Sequence, residues 1–527
     1  VPHLRDIRNW LFNNLSIVDR NEIISGLNYI FCGLNREAPP PSFIELIEAA
    51  YHLGSRALFE RLKIELEINV HVALAKEDLK EIAKLLKELE ASSISDDSDL
   101  IRLSDKLAEC LGRKFIDSVD REMRMHAYRC VGVPKLIFNA SRGGAFKVDE
   151  LFYHFLNNIE SLKTVHFIGV GVSLKKLPRR LLHLTLKHCS FEGGFKLSNA
   201  PMGLKSLAVI ECGGIDSHFF IGMPPVIEKL SIIGIEGLDD RIADYLPVEL
   251  THLDLSGSLG ISDSFFMNVP KSLKRLSVKN IVTITDDAIK RISCLNLAYL
   301  NIQGTRVSDE AVYHIPKTIT HLCAGECITD AGLLSLSINL PRLFKLELCG
   351  NKRISSKGIS QLSKSIIELN LTSSSVKDQD MVSLPVQLRA LNVSGTKISK
   401  PILPIGLLSL DVNQSYSSDL NYLNYTKTLI HFSTNFIKDS DLSCVPRAVL
   451  SLTLDFSQIN NLDHLPPNLL VLNLSFCRSL DVKELSKVPK TLRMIDITDT
   501  SFDLERAKSY LPLDCVIIRG TEIHVIG

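Results

Sequence analysis

Apolar residues recur in a six-residue phrase, Leu-x-x-Leu-x-Leu, sixteen times between Leu162 and Ile497. Its first positions are Leu162, Leu181, Leu204, Ile227, Leu250, Leu273, Leu297, Ile319, Leu343, Ile366, Leu388, Leu407, Leu429, Val449, Leu469 and Leu492, at intervals of 19 to 24 residues, most often 23. Between Pro247 and Val269, the residues Leu250, Leu253 and Leu255 are spaced as the inward side chains of a strand. Ile261-Ser262-Asp263 and Phe265-Phe266 follow, and later repeats carry Ile284-Thr285-Asp286, Val307-Ser308-Asp309 and Ile328-Thr329-Asp330. Ser or Thr before Asp is helix-start chemistry, because these side-chain oxygens accept N–H groups that the first turn leaves unpaired. Each such repeat therefore predicts one short strand followed by one short helical or 3₁₀ turn.

Two further columns hold the same register. The eighth residue from each start is Cys, Asn, Ser or Thr in twelve repeats of sixteen, among them Cys189, Cys212, Ser258, Thr305, Cys327, Asn351, Thr396, Cys477 and Thr500. A small polar side chain there can satisfy backbone groups that leave the strand buried. Proline stands three residues before the start in eleven repeats, from Pro178 to Pro489. Its fixed φ and missing N–H suit the entry to a strand. A period of this length predicts an α/β fold, a leucine-rich-repeat solenoid of about sixteen repeats with a parallel concave sheet, over residues 134–527. Sixteen strands at ~4.8 Å would extend roughly 75 Å.

Residues 1–133 are patterned as helices, predicting an all-α N-terminal domain. Ser42-Phe43-Ile44-Glu45 reads as a capping box after Pro39-Pro40-Pro41, and Gly54 as the stop of that helix. A helix over Ser55–Leu66 carries the stripe Leu58, Leu62 and Leu66; further helices are predicted from Lys76 to Leu89 and from Asp99 to Leu111, with a loop from Ser92 to Ser98. One reading of this region is a helical cap shielding the end of the solenoid.

The Pro-x-x-Leu-x-x-Leu-x-Leu phrase resembles the repeats of bacterial effector leucine-rich-repeat proteins and of FNIP-type proteins. The Ile-Ser/Thr-Asp insert resembles the GALA and cysteine-containing repeats found behind F-boxes. Effector ubiquitin ligases of the IpaH kind carry a catalytic domain with an active cysteine after their repeats. This sequence reaches Gly527 almost directly after the last repeat, so that activity is not expected. Leu27-Asn28-Tyr29-Ile30-Phe31-Cys32-Gly33 and then Phe43 to Gly54 resemble the second half of a BTB domain, within residues 1–70. Residues 71–133 would then correspond to a BACK-like extension. The strand-rich first half of a BTB domain is not recognisable in residues 1–20. The resemblance implies docking on a cullin-type ligase scaffold, for which Tyr29, Phe31, Phe43 and Tyr51 are the candidate residues. It implies a ubiquitin-ligase adaptor, and in a bacterium an effector acting in the host cytoplasm.

Composition narrows the partners. Sixty Lys plus Arg balance sixty Asp plus Glu, and a chain of zero net charge is not expected to bind nucleic acid or an acidic membrane generally. No apolar run reaches the ~18 residues that span a bilayer. No signal peptide is visible, and the sequence begins at Val1. The twelve cysteines include no Cys-x-x-Cys pair, and several fall in the eighth-residue column, which predicts buried thiols and a reducing, cytoplasmic setting. The Asn-x-Ser/Thr sequons at Asn370, Asn392 and Asn473 fall mid-strand, where a glycan would cover the sheet. No nucleophile elbow occurs, Gly169-Val170-Gly171 is a lone Gly-x-Gly, and the fifteen histidines show no metal-ligand spacing. No catalytic residue, cofactor or metal is expected. Lys271, Lys274, Arg275 and Lys279 form a local basic patch, read as a solvated face or as a site for a phosphate or acidic partner.

A protein ligand is expected on the concave sheet. The outward column between the second and third apolar positions contains Asp254, Asn301, Cys323, Glu347, Asn370, Asn392 and Asp411, a polar surface suited to hydrogen bonding. Phe436, Phe456 and Phe476 stand seven residues into three consecutive repeats, where other repeats mostly carry Gly, Glu, Asn or Ser. They read either as a binding hot spot or as an inward-packed ladder. The leading expectation is a non-enzymatic adaptor. The alternatives are a stand-alone binding scaffold or inhibitor, and a repeat-fold GTPase activator.

Overall fold

The computed structural model describes residues 43–526, apart from 53–54, 95–96, 117–126, 129–130, 141–147, 192–195, 327, 416–419 and 436. Tyr29, Phe31, Cys327 and Phe436 lie outside the described residues. The chain forms two compact units: one joins the described residues through Ser104 with those from Val376 onward, and the other is Asp105–Ser375.

In the second unit, parallel strands pair in chain order. They are Lys135–Asn139, Thr164–Ile168, His183–Lys187, Ser206–Ile210, Lys229–Ile233, His252–Asp254, Arg275–Ser277, Tyr299–Asn301, His321–Cys323, Lys345–Glu347 and Glu368–Asn370. Equivalent positions sit opposite one another, as Leu253, Leu276, Leu300, Leu322, Leu346 and Leu369 do. That register buries every apolar position of the phrase: Leu250, Leu253 and Leu255 are all nearly inaccessible. The strand Lys135–Asn139 carries the same apolar positions, at Val133, Leu136 and Phe138, and all three are buried; it precedes Leu162 by more than one ordinary repeat, so the regular interval does not reveal it. It is met by a helix that must come very close: a Cβ on Gly112 would lie 1.8 Å from the Ile137 carbonyl oxygen.

The register columns have distinct jobs. The carbonyl of each strand-entry proline, from Pro178 to Pro489, accepts the N–H of the first apolar residue, forming a turn that delivers the chain into the strand. The eighth-residue side chains donate to buried carbonyls. Cys189 Sγ reaches Phe167 O at 3.3 Å, Ser258 Oγ reaches Ile232 O at 3.0 Å, and Asn351 Nδ2 reaches Ile328 O at 2.8 Å. In the first unit Cys477 Sγ reaches Leu454 O at 3.0 Å, and burial pushes its thiol up to about 11.

The helix-start residues cap as expected, Ser262 on Ser264 N and Thr285 on Asp287 N. The aspartates beside them do something that single repeats do not reveal. Asp240 accepts both the N–H and the hydroxyl of Ser262, at 2.7 and 2.5 Å. Asp263 does the same for Thr285, Asp286 for Ser308, Asp309 for Thr329 and Asp330 for Ser355. Each carboxylate thus fixes the cap of the following repeat.

In the first unit the parallel strands are Ala390–Asn392, Ser409–Asp411, His431–Ser433, Ser451–Thr453, Val471–Asn473, Met494–Asp496 and Val516–Arg519, closed by the antiparallel edge strand Glu522–Val525. The N-terminal helices of this unit are α1 (Phe43–His52), α2 (Arg56–Lys76) and α3 (Leu79–Ala91); α4 (Ser98–Ile116) begins in it and from Asp105 belongs to the second unit. Helix α2 runs ten residues past the expected Leu66 and ends at Glu77, which takes the left-handed conformation. Its buried residues include Leu62, Leu66, Val70 and Ala73 as well as Ile64, Ile68 and His71. They surround the helix, so no single stripe marks its length.

Helix α2 packs on the strands of its own unit. Ile64 and Ile68 join one buried cluster with Leu408, Ile430, Leu450, Leu470, Met494 and Val516. At its edge Glu60 Oε2 lies 3.5 Å from His431 Nε2. Burial alone would raise the Glu60 carboxyl, but His431, Lys63 and Arg56 together hold it down at about 2. No helix among the described residues is long and apolar enough to cross a membrane.

Candidate functional site

The expected outward column closes each short strand. Asp254, Asn301, Asn370, Asn392 and Asp411 each accept the backbone N–H two residues on, at 2.9 to 3.1 Å. This is an Asx turn, which the short side-chain oxygen of Asp or Asn makes at low cost. The column therefore first serves strand exit, and only its remaining capacity can meet a ligand. Asn392 Nδ2 already reaches Asp411 Oδ2 at 3.3 Å, and Asn301 is buried.

Three residues after the outward column, the chain takes a left-handed turn. The seventh position has positive φ at Gly257, Asn280, Gly304, Gly350, Ser373, Gly395, Gln414 and Asp499. The earlier preference for Gly, Asn and Ser at this slot is thereby explained. Phe456 and Phe476 share the conformation, with φ of 58° and 62°. A bulky residue there costs on the order of 1–2 kcal/mol. Packing does not offset this for Phe456, which is 57% exposed. The two rings stack on each other, centroids 4.2 Å apart and 5° from parallel. They form an outward aromatic step rather than an inward ladder, and Phe436 is outside the described residues.

Glu347 makes no Asx turn. It accepts from His321 Nε2 at 3.0 Å, and Cys323 Sγ lies 3.5 Å from the same nitrogen. The hydrogen bond from His321 leads in holding the Glu347 carboxyl down at about 2, whereas burial and then the Glu347 charge push the Cys323 thiol up to about 12. Tyr299 borders the group: its hydroxyl is 3.8 Å from Cys323 Sγ, its ring meets His321 edge-on at 4.7 Å, and the Arg275 guanidinium lies 4.3 Å above it. Lys345 Nζ is 3.5 Å from both Glu347 and Glu368. Sequence reasoning missed this group because linear spacing does not show it. Cys323 and Glu347 are lateral neighbours only through the strand register.

The candidate docking residues divide. Phe43 opens α1, and its side chain is outside the described ones. Tyr51 is half exposed, with its ring 5.6 Å from that of Phe59. The surface that receives α2 was also missed, although the sequence carries its signal. The second position of the phrase is mixed in the earlier repeats, with Lys205, Glu228, Thr251 and Lys274 but also Leu182, Phe344 and Ile367, and it becomes a run of four large aliphatic residues at Leu408, Ile430, Leu450 and Leu470. Those four are the residues buried under Ile64 and Ile68.

No family model matches the sequence, and no curated protein sequence matches it. Matching solved structures number 318 chains. One is an internalin, InlF from Listeria monocytogenes, at 18% identity and a TM-score of 0.40, covering 58% of this chain and 88% of that one. Another is the TLR13–ssRNA13 complex, at 19% identity and a TM-score of 0.46, covering 74% of this chain and 63% of that one. Neither likeness is close enough to carry a ligand across to this chain, whose leucine-rich-repeat architecture stands on its own strands and columns.

Proposed function

We propose that this protein is a non-enzymatic scaffold that binds another protein on its repeat sheet, with Phe456 and Phe476 at the centre of the contact. The stacked pair carries the reading. An exposed Phe456 and a half-buried Phe476, both held in a strained backbone conformation, gain little from burial, whereas aromatics dominate binding hot spots. The half-buried Asn and Asp residues beside them add a polar rim. The buried, hydrogen-bonded thiols of Cys189, Cys212 and Cys477 support a reducing compartment for this activity. Affinity capture with the full chain and its Phe456→Gly/Phe476→Gly variant tests the proposal. One or more proteins held by the parent should be lost with the variant, while an identical captured set would overturn it.

A second reading keeps the adaptor role, with recruitment to a cullin-type scaffold through the α1 region. Half-exposed Tyr51 favours it, because its hydroxyphenyl ring lies open beside Phe59. Ile64 and Ile68 favour instead a helical cap, since their face is covered by the chain's own repeats. Binding of purified cullin to the full chain, abolished by Tyr51→Ala, separates the two.

A further inference from the structure

We propose that His321, Cys323 and Glu347 form a binding site for a zinc-class divalent cation. Their ligand atoms all lie within 4.8 Å of one another. The Cys323 Sγ to His321 Nε2 separation is 3.5 Å and the His321 Nε2 to Glu347 Oε1 separation is 3.0 Å. A tetrahedral ion with bonds of ~2.0–2.3 Å sets its ligand atoms roughly 3.3–3.6 Å apart. Two of the three separations are therefore already close to tetrahedral values, and the third, between Cys323 Sγ and Glu347, has to close from within 4.8 Å. Imidazole, thiolate and carboxylate are the donor types that zinc takes, and three protein ligands leave a fourth position for water or for a donor atom from a bound molecule.

The charges fit as well. Thiolate and carboxylate together carry two negative charges against the ion's two positive ones, and the Cys323 proton leaves to solvent on binding. Lys345 competes for Glu347, and it has Glu368 as an alternative partner at the same 3.5 Å. The site is built on strands His321–Cys323 and Lys345–Glu347, whose register fixes Cys323 beside Glu347. The same column makes Asx turns at Asp254, Asn301, Asn370, Asn392 and Asp411, whereas Cys323 and Glu347 place donor atoms near one another there. The site uses neither Phe456 nor Phe476 and does not depend on the scaffold reading.

The test uses the full chain, reduced and stripped of metal, titrated with cobalt(II) and then with zinc(II). One equivalent of cobalt should give a near-ultraviolet thiolate-to-metal band together with visible bands of tetrahedral strength, and zinc should displace both. Cys323→Ser should abolish the thiolate band. His321→Asn and Glu347→Gln should each weaken binding by at least about tenfold, the scale at which even supporting partners matter. Cys477→Ser, distant in sequence and already bonded to Leu454, should change nothing. Absence of a stoichiometric site in the parent chain overturns the proposal, as does a thiolate band that survives Cys323→Ser.

Discussion

Replacing Ile68 by Ala should release helix α2 from the strands it covers. Ile68 is fully buried against Leu408, Ile430, Leu450 and Leu470. The substitution removes three carbons at ~0.8 kcal/mol each. A cavity contribution brings the loss to about 3 kcal/mol, within the roughly 2–5 kcal/mol range for such truncations. A helix that opens separately from the repeats would shift its opening equilibrium by roughly a hundredfold, at 1.36 kcal/mol per factor of ten. Hydrogen–deuterium exchange with peptide resolution reads this directly on the full chain. Amides of residues 56–76 should exchange about a hundredfold faster, and those of Lys229–Ile233 should not change. Leu450→Ala, on the receiving side, should produce the same acceleration in the helix. Protection of 56–76 that ignores Leu450→Ala would refute the docking reasoning, and so would equal loss of protection in both regions.

Acid should loosen the same contact. The Glu60 carboxyl sits at about 2 in the folded chain, below its unfolded value of about 4.3, so its contribution is present above that value and is lost as pH falls towards 2. Glu60→Gln should flatten an acid titration of helicity in this range. Asp286→Ala strands the N–H and hydroxyl of Ser308 and should cost roughly 1–3 kcal/mol, read as a lower thermal midpoint; an unchanged midpoint would mean the carboxylate adds nothing. The Phe456→Gly/Phe476→Gly variant relieves two left-handed phenylalanines and should unfold no earlier than the parent, whereas earlier unfolding would restore the packing role. Buried Cys477 should resist alkylation while exposed Cys294 reacts readily, and comparable rates for the two would contradict its burial.

The repeat architecture was legible because each of its columns answers a local need. Leucines fill the core, proline turns the chain into the strand, the eighth residue satisfies carbonyls and Ser or Thr caps the helical turn. What escaped notice depends on lateral neighbours. The Asp263–Thr285 bond and the His321–Cys323–Glu347 group exist only once strands are in register, and residues 22 to 24 apart in sequence become adjacent. The strand at Lys135 stands off the regular interval, and the strand at Val516 lacks the phrase. Helix α2 was underestimated because residues buried on several sides produce no periodic stripe. The cover it places on Leu408, Ile430, Leu450 and Leu470 was legible in principle at the second position of the phrase, where these four large aliphatic residues follow one another in consecutive repeats.

The aspartate bonds between successive caps bear on how such a chain can change length. Each carboxylate belongs to one repeat and its Ser or Thr to the next, so the five successive joins from Asp240 to Ser355 are made by the same pair of groups. Excising residues 263–285 would set Ser262 directly before Asp286. Asp240 would still hold Ser262, and Asp286 would still hold Ser308. Duplicating the same block would equally leave no carboxylate without its hydroxyl. Copy number is thus free to drift by whole repeats, and the extent of the surface can be retuned by gain or loss of repeats without redesigning any junction.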